Sequence, residues 1–169
     1  NKASFAVQGK TSDPQIGFYS EGSHKVADSP TCDILPEPIN KAKEWLREIL
    51  KKNQISVYNE GNHRGLVRGL VIRHSESTGE ILVGMITNEG RFPRNFLVEL
   101  TEEKKLKKLG IVGIIQNINP RATNVILGKE NKLLWGKERL TDKLADLSFH
   151  LSLGSFFQIH SEQTLRLYD

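Results

Sequence analysis

Residues 67–74 read Val-Arg-Gly-Leu-Val-Ile-Arg-His and residues 80–87 read Glu-Ile-Leu-Val-Gly-Met-Ile-Thr, with Ser75-Glu76-Ser77-Thr78-Gly79 between them. Two apolar, β-branched runs of strand length, joined by a short Ser- and Gly-containing link, have the chemistry of a β-hairpin. A helix precedes it. Pro36 and Pro38 suit a first turn, where proline's fixed φ matches the helix and its missing N–H costs nothing. Ile39, Ala42, Trp45, Leu46, Ile49 and Leu50 then recur at the spacing of one helical face, with Lys41, Lys43, Arg47 and Lys51 elsewhere. After the hairpin, Pro93 opens a second helix that reaches Leu109. Its apolar marks are less regular, residues 101–105 interrupt them, and Gly110 ends it. Residues 111–118 are a β-rich run. Helix, hairpin, helix, strand is the core order of a split β-α-β arrangement. The class predicted is α+β, a mostly antiparallel sheet with two helices.

Farther out the signals shorten. Residues 3–7 read as a strand, 9–15 as a loop, and Ile16-Gly17-Phe18-Tyr19 as the returning strand. Residues 123–127 and 132–135 read as strands flanking a turn. Leu147, Phe149, Leu151 and Leu153 alternate with Ser148, His150 and Ser152, the pattern of a half-buried strand. Ser161 suits the N-cap of a closing helix over residues 162–168. The chain opens inside a strand pattern without methionine and closes on a helix barely begun. It therefore reads as an internal portion of a longer protein.

Composition narrows the class. A chain of 169 residues is long enough for one domain with a core. No stretch approaches the roughly 20 apolar residues that span a bilayer, and no leader pattern opens the chain. A single cysteine excludes an internal disulfide and suits a reducing compartment. The expectation is a cytoplasmic monomer with no membrane contact. Lys and Arg outnumber Asp and Glu by 24 to 20, a modest bias towards polyanions.

Spacing alone yields no enzyme site. The five histidines have no metal-ligand spacing, and Gly61, Gly65 and Gly69 match no nucleotide-binding loop. Cys32 sits in a loop before a helix, as a small apolar filler or as a ligand, and spacing does not decide between them. Arg64, Arg68, Arg73 and Arg121 lie on strands and loops, where phosphate contact is easy to arrange. Lys104, Lys105, Lys107 and Lys108 read as a solvated helix face. The few aromatics do not interleave with the arginines as in a stacking platform.

Four blocks in order carry a family resemblance. Asn1-Lys2 leads into a strand. Ile16-Gly17-Phe18-Tyr19 is followed by Ser23-His24, Val26, Asp28 and Cys32. Residues 112–120 read Val-Gly-Ile-Ile-Gln-Asn-Ile-Asn-Pro, followed by Thr123-Asn124 and by Leu134-Trp135-Gly136. Residues 149–168 run from Phe149 through Ser155-Phe156-Phe157-Gln158 to Tyr168. Together they resemble the S-adenosylmethionine-dependent RNA uracil-5 methyltransferases, a family with members acting on 23S rRNA and on tRNA.

The resemblance implies a layout and some roles. Residues 1–145 would be a central domain that contacts RNA and is associated with an iron–sulfur cluster. Residues 146–169 would begin a Rossmann-like methyltransferase domain. The family's cysteine nucleophile and carboxylate base would lie beyond Asp169, so no catalytic residue is assigned and the chain alone would be inactive. Cys32 resembles the last of four cysteines holding a [4Fe–4S] cluster, the other three preceding Asn1. Asp33 stands where the family commonly has proline. Gln158 matches a glutamine that contacts the methyl donor, S-adenosyl-L-methionine, and Phe156 an aromatic near the flipped-out target base. The implied reaction is addition of a cysteine thiolate to uracil C6, attack of the enolate on the donor methyl, and loss of the C5 proton. The implied partner is RNA, with rRNA ahead of tRNA. The alternative is a stand-alone RNA-binding module without catalysis.

Overall fold

The structure is a computed structural model that describes residues 1–122, 125–158 and 163. Its first strand, β1 (Lys2–Lys10), turns at Thr11 and Ser12 into β2 (Asp13–Tyr19), with Ala6 opposite Gly17 and Lys10 opposite Asp13. A short edge strand, β3 (Val26–Asp28), follows. Helix α1 (Glu37–Lys52) then leads to the hairpin expected from the sequence, β4 (Val67–His74) and β5 (Ile81–Thr87). Two helices, α2 (Arg94–Leu100) and α3 (Glu103–Leu109), cross over to β6 (Ile111–Ile118), and β7 (Glu130–Gly136) returns beside it. A separate ribbon closes the described chain: β8 (Leu140–Leu144) and β9 (Leu147–Leu151).

The main sheet has seven strands in the order β3-β2-β1-β4-β5-β6-β7. Every pairing is antiparallel except β5 with β6, which the helical crossover makes parallel. The α+β, mostly antiparallel reading holds. The parallel pair, however, lies side by side, whereas a split arrangement would place another strand between them. The second helix is in fact two, since Thr101 and Glu102 break the ladder where the apolar spacing lapses. Gly110 closes α3 at φ 76°, a left-handed cap that costs glycine little.

Three layers result. Helices α1, α2 and α3 lie on one face of the sheet, where Ile39, Leu46 and Leu50 of α1 and Phe96 and Leu106 of the crossover meet Leu70, Ile72 and Val83. Lys43, which the periodicity put off the apolar stripe, is also buried there. Its ammonium lies over the Phe5 ring at 5.6 Å and donates to the Ser29 carbonyl.

On the opposite face, Val71, Leu82, Ile86 and Ile115 are covered by Leu140, Leu151 and Leu153 of the β8–β9 ribbon and the turn after it. Gly84 makes that cover fit, since a Cβ there would strike the Leu153 side chain. Strand β8 gives only Leu140 and Leu144 as apolar marks, and the sequence reading missed it.

Among the described residues, 125–127 do not pair with 132–135 as anticipated. Instead β7 pairs with β6, with Leu133 opposite Ile115, and Thr123 and Asn124 lie outside the described residues. The closing helix over 162–168 also lies outside them, apart from Gln163. The anticipated domain boundary after residue 145 falls in the turn of the β8–β9 ribbon. Among the described residues, no helix is long and apolar enough to cross a membrane.

Candidate nucleic-acid interface

The ribbon covers only part of the second face. Beyond it, Ser4, Ala6 and Gln8 of β1, Gly69 of β4 and Ile86 of β5 floor a cleft of about 410 Å³. Its rim brings together Tyr19 and His24 from the β2–β3 corner, Tyr58 and Glu60 from the loop before β4, and Arg68. Arg68 owes its place to a β-bulge. Val67 pairs with Thr87 and Gly69 with Ile86, so Arg68 is the extra, unpaired residue. A bulge re-aims such a side chain. The guanidinium stacks on the Tyr58 ring at 4.4 Å and, through Nη1, donates to the carbonyls of Asn119 and Arg121.

The polar groups of the rim are mutually fixed. The Tyr19 hydroxyl donates to Glu60 Oε1 at 3.0 Å, and His24 Nδ1 lies 3.3 Å from Glu60 Oε2. The Tyr19 and His24 rings are 5.6 Å apart. Tyr58 Oη shares a hydrogen bond of 2.8 Å with His63 Nδ1. Burial and the bond to Glu60 push the Tyr19 phenol up to about 12, so it stays a neutral donor at physiological pH. Aromatic faces and a cation thus meet here in space although they do not interleave in the sequence. Tyr19 and His24 stand inside a block of the family resemblance. Nothing in the sequence singled out Tyr58 or Glu60, because the loop that brings them in has no periodicity.

The four anticipated arginines divide. Arg64 and Arg121 are exposed, and Arg68 is half-buried on the cleft rim. Arg73 is 1% exposed and corrects the expectation of phosphate contact. Its Nη1 donates to the carbonyls of Ser152 and Ser155, so it holds the turn after β9 down on the sheet. Burial lowers its pKa, with Asp142 opposing the shift.

The segment that Arg73 anchors carries two of the residues named from the resemblance. Phe156 is 83% exposed, so core packing does not explain it, whereas its neighbour Phe157 packs on Phe149 at 5.4 Å. Gln158 is half-buried, and its carbonyl accepts from Asn1 Nδ2 at 2.9 Å. Its amide bonds to no other described residue. That suits one polar contact to a methyl donor but is not a donor site by itself.

Cys32 is half-buried and held at the start of α1. Its N–H donates to Asn40 Oδ1, and its carbonyl accepts from Asn40 Nδ2, both at 3.1 Å. It is the single cysteine of the chain, and among the described residues no group of three His, Cys, Asp or Glu could hold a metal. The residues of this chain do not fit a four-thiolate cluster, which would need three ligands from elsewhere.

What the fold and the cleft define together is an α+β domain with a helix-backed sheet and a cationic, aromatic outer face. No protein-family model matches the sequence. Over its whole length the chain is similar to an uncharacterized RNA methyltransferase of Lactobacillus johnsonii, with 41% identity across 169 residues. It is similar also to one of Oceanobacillus iheyensis, with 37% identity across 172 residues. In each case 100% of this chain matches 37% of the relative. A solved structure shares the fold with a TM-score of 0.79 and 27% identity, over 99% of this chain and 38% of that one. It is the Pyrococcus abyssi tRNA (uracil-54, C5)-methyltransferase in complex with S-adenosyl-L-homocysteine. The chain is thus similar along its whole length to part of these RNA methyltransferases, and it shares its fold with part of the Pyrococcus abyssi enzyme. It spans about 37% of the length of the curated relatives it matches.

Proposed function

We propose that this chain is the RNA-orienting part of an S-adenosylmethionine-dependent RNA (uracil-5-)-methyltransferase, and that it supplies one wall of the active site. One observation carries the reading. Arg73 and Asn1 hold the Phe156–Gln158 segment against the sheet, and Arg73 belongs to the sheet face that also carries the aromatic, cationic cleft. RNA lying on that face meets the cleft, and the target base reaches Phe156, whose exposed ring is free to stack on a pyrimidine. Gln158 offers its amide to the methyl donor, which supplies the transferred methyl group. The nucleophile and base belong to the methyltransferase domain that residues 146–169 begin, and residues 1–145 handle RNA. The motif resemblance points to 23S rRNA as substrate, and the Pyrococcus abyssi neighbour is a tRNA enzyme.

The test is methyl transfer by the full-length protein from labelled donor to transcripts of 23S rRNA and of tRNA. Label at uracil C5 of the rRNA is expected. Label on tRNA alone would reassign the substrate, and label on neither would overturn the reading. Gln158→Ala is expected to weaken donor binding about fivefold, the loss of roughly 1 kcal/mol for one neutral hydrogen bond. Calorimetry showing unchanged donor affinity would remove Gln158 from the site.

A further inference from the structure

The geometry points to a second nucleotide subsite in the outer-face cleft, one that takes a single unstacked base of the RNA other than the methylated uracil. It rests on the proposed RNA methyltransferase reading and adds a place on the substrate that this reading does not require. Phe156, the residue assigned to the target base, is not among those lining the cleft.

Four observations carry it. The cleft's volume of about 410 Å³ lies within the range of small-molecule sites, roughly 300–1,000 Å³. Its rim offers π-faces, since Tyr19 remains 48% exposed instead of packing inwards and the Tyr58 ring lines the cleft beside Arg68. Every base offers a face to such a ring, so stacking here tolerates any base. Arg68 sets a cation at the rim, immobilised from behind by Tyr58 and by two carbonyls on Nη1, while Nε and Nη2 bond to no described residue. A planar guanidinium with nitrogens to offer matches a phosphate oxygen.

The fourth observation is that the polar rim is already assembled. Glu60 is held by Tyr19 and His24, and the Gln8 amide is taken at both ends, donating to the His24 carbonyl and accepting from the Val26 N–H. A site whose side chains are fixed before binding loses little rotamer freedom when a ligand enters. A duplex keeps its base faces stacked inside, so the cleft selects a single-stranded or bulged nucleotide.

The experiment uses full-length protein, a single-stranded RNA carrying 4-thiouridine, and a blunt duplex of the same length. The single strand is expected to bind more tightly. Tyr19→Ala should weaken it by roughly 5- to 150-fold, the span of one stacked base, and leave the duplex unchanged. Tyr19→Phe keeps the ring and loses the bond to Glu60, so it should restore most of the affinity. Tyr19 is an exposed residue at the end of β2, and a melting curve confirms that both variants fold. Irradiation of the wild-type complex should place thiouridine adducts on Tyr19, His24 or Tyr58, read by mass spectrometry. Adducts confined to other residues, or equal affinity in Tyr19→Ala, would overturn the subsite. If methyl transfer to RNA persists in that case, the subsite alone is wrong. If wild-type protein neither binds nor methylates RNA, the functional reading falls with it.

Discussion

The two faces of the sheet are built by different means. The helix face is a continuous apolar layer made by elements that advertise themselves, since α1 repeats its apolar residues at the helical period, β4 carries Leu70-Val71-Ile72 at its centre and β5 is apolar almost throughout. The outer face is pieced together. A two-stranded ribbon covers Val71, Leu82, Ile86 and Ile115, a buried arginine holds the turn after the ribbon, and the remainder is an open cleft. The first face supplies stability. The second trades apolar closure for groups that can meet a ligand.

That contrast is sharpest under truncation of the helix face. Leu46 is fully buried at the centre of α1. Leu46→Ala removes three heavy atoms from a packed layer and is expected to cost about 2–5 kcal/mol, read from denaturant unfolding. A loss below about 1 kcal/mol would mean that this layer is not the source of stability.

Arg73→Met tests the other face. It keeps most of the apolar stem and removes the donor to Ser152 and Ser155. Hydrogen bonds from a charged group contribute roughly 1.5–3 kcal/mol, so a loss of that order is expected, smaller than for Leu46. Its signature is local. Amide exchange over residues 152–158 should accelerate while α1 stays protected, and methyl transfer should fall because Phe156 is no longer held. Uniform acceleration through α1 would show that the two faces unfold as one unit.

These two residues also show what the sequence could and could not convey. Leu46 was legible because helical burial follows a period that the order of residues reveals. Arg73 was not. In a strand its spacing is that of a surface cation, and it is covered once the ribbon and the turn after it fold back over the sheet. Lys43 failed in the same way, since a long chain lets a lysine reach Ser29 from a position that looks solvated. In the cleft, Tyr19 and His24 fell within a recognisable block and Arg68 stood among the candidate cations, whereas Tyr58 and the aim of Arg68 depend on a loop and a one-residue bulge. Neither of those has a sequence period.

Acid should separate the ribbon from the helix face by a smaller margin. Burial opposes ionisation of Glu80, but Lys137 at 2.7 Å and the Thr141 N–H outweigh it and hold its pKa below the ordinary glutamate value. A carboxylate depressed in the folded state contributes stability above its unfolded pKa and loses it as pH falls through the folded value. Glu80 ties β5 to the start of the ribbon, so stability should decline below the ordinary glutamate range. Glu80→Gln should flatten that decline while lowering stability at neutral pH. A variant with the wild-type pH profile would show that Glu80 is not the coupled group.

The smallest effect concerns which layer the RNA touches, and it is read as a slope. Arg64, Arg68 and Arg121 are the anticipated cations that remain once Arg73 is buried. Arg68 is tied to the Arg121 carbonyl at 2.7 Å, so those two act from one corner of the cleft side. Lys104 and Lys105 sit on α3, which packs on the opposite face of the sheet through Leu106. If three phosphates are neutralised, log K for single-stranded RNA should fall with log salt at a slope near −2, at roughly −0.7 per contact. Arg64→Ala and Arg121→Ala should each flatten the slope by about 0.7 on the same basis. Replacing both lysines with alanine should barely change it, because a phosphate held on the outer face is separated from them by the sheet and screened by salt. A salt titration of the wild type and both mutant sets decides the matter. If the lysine pair flattens the slope and the arginines do not, RNA runs over the helices and the outer cleft serves something else.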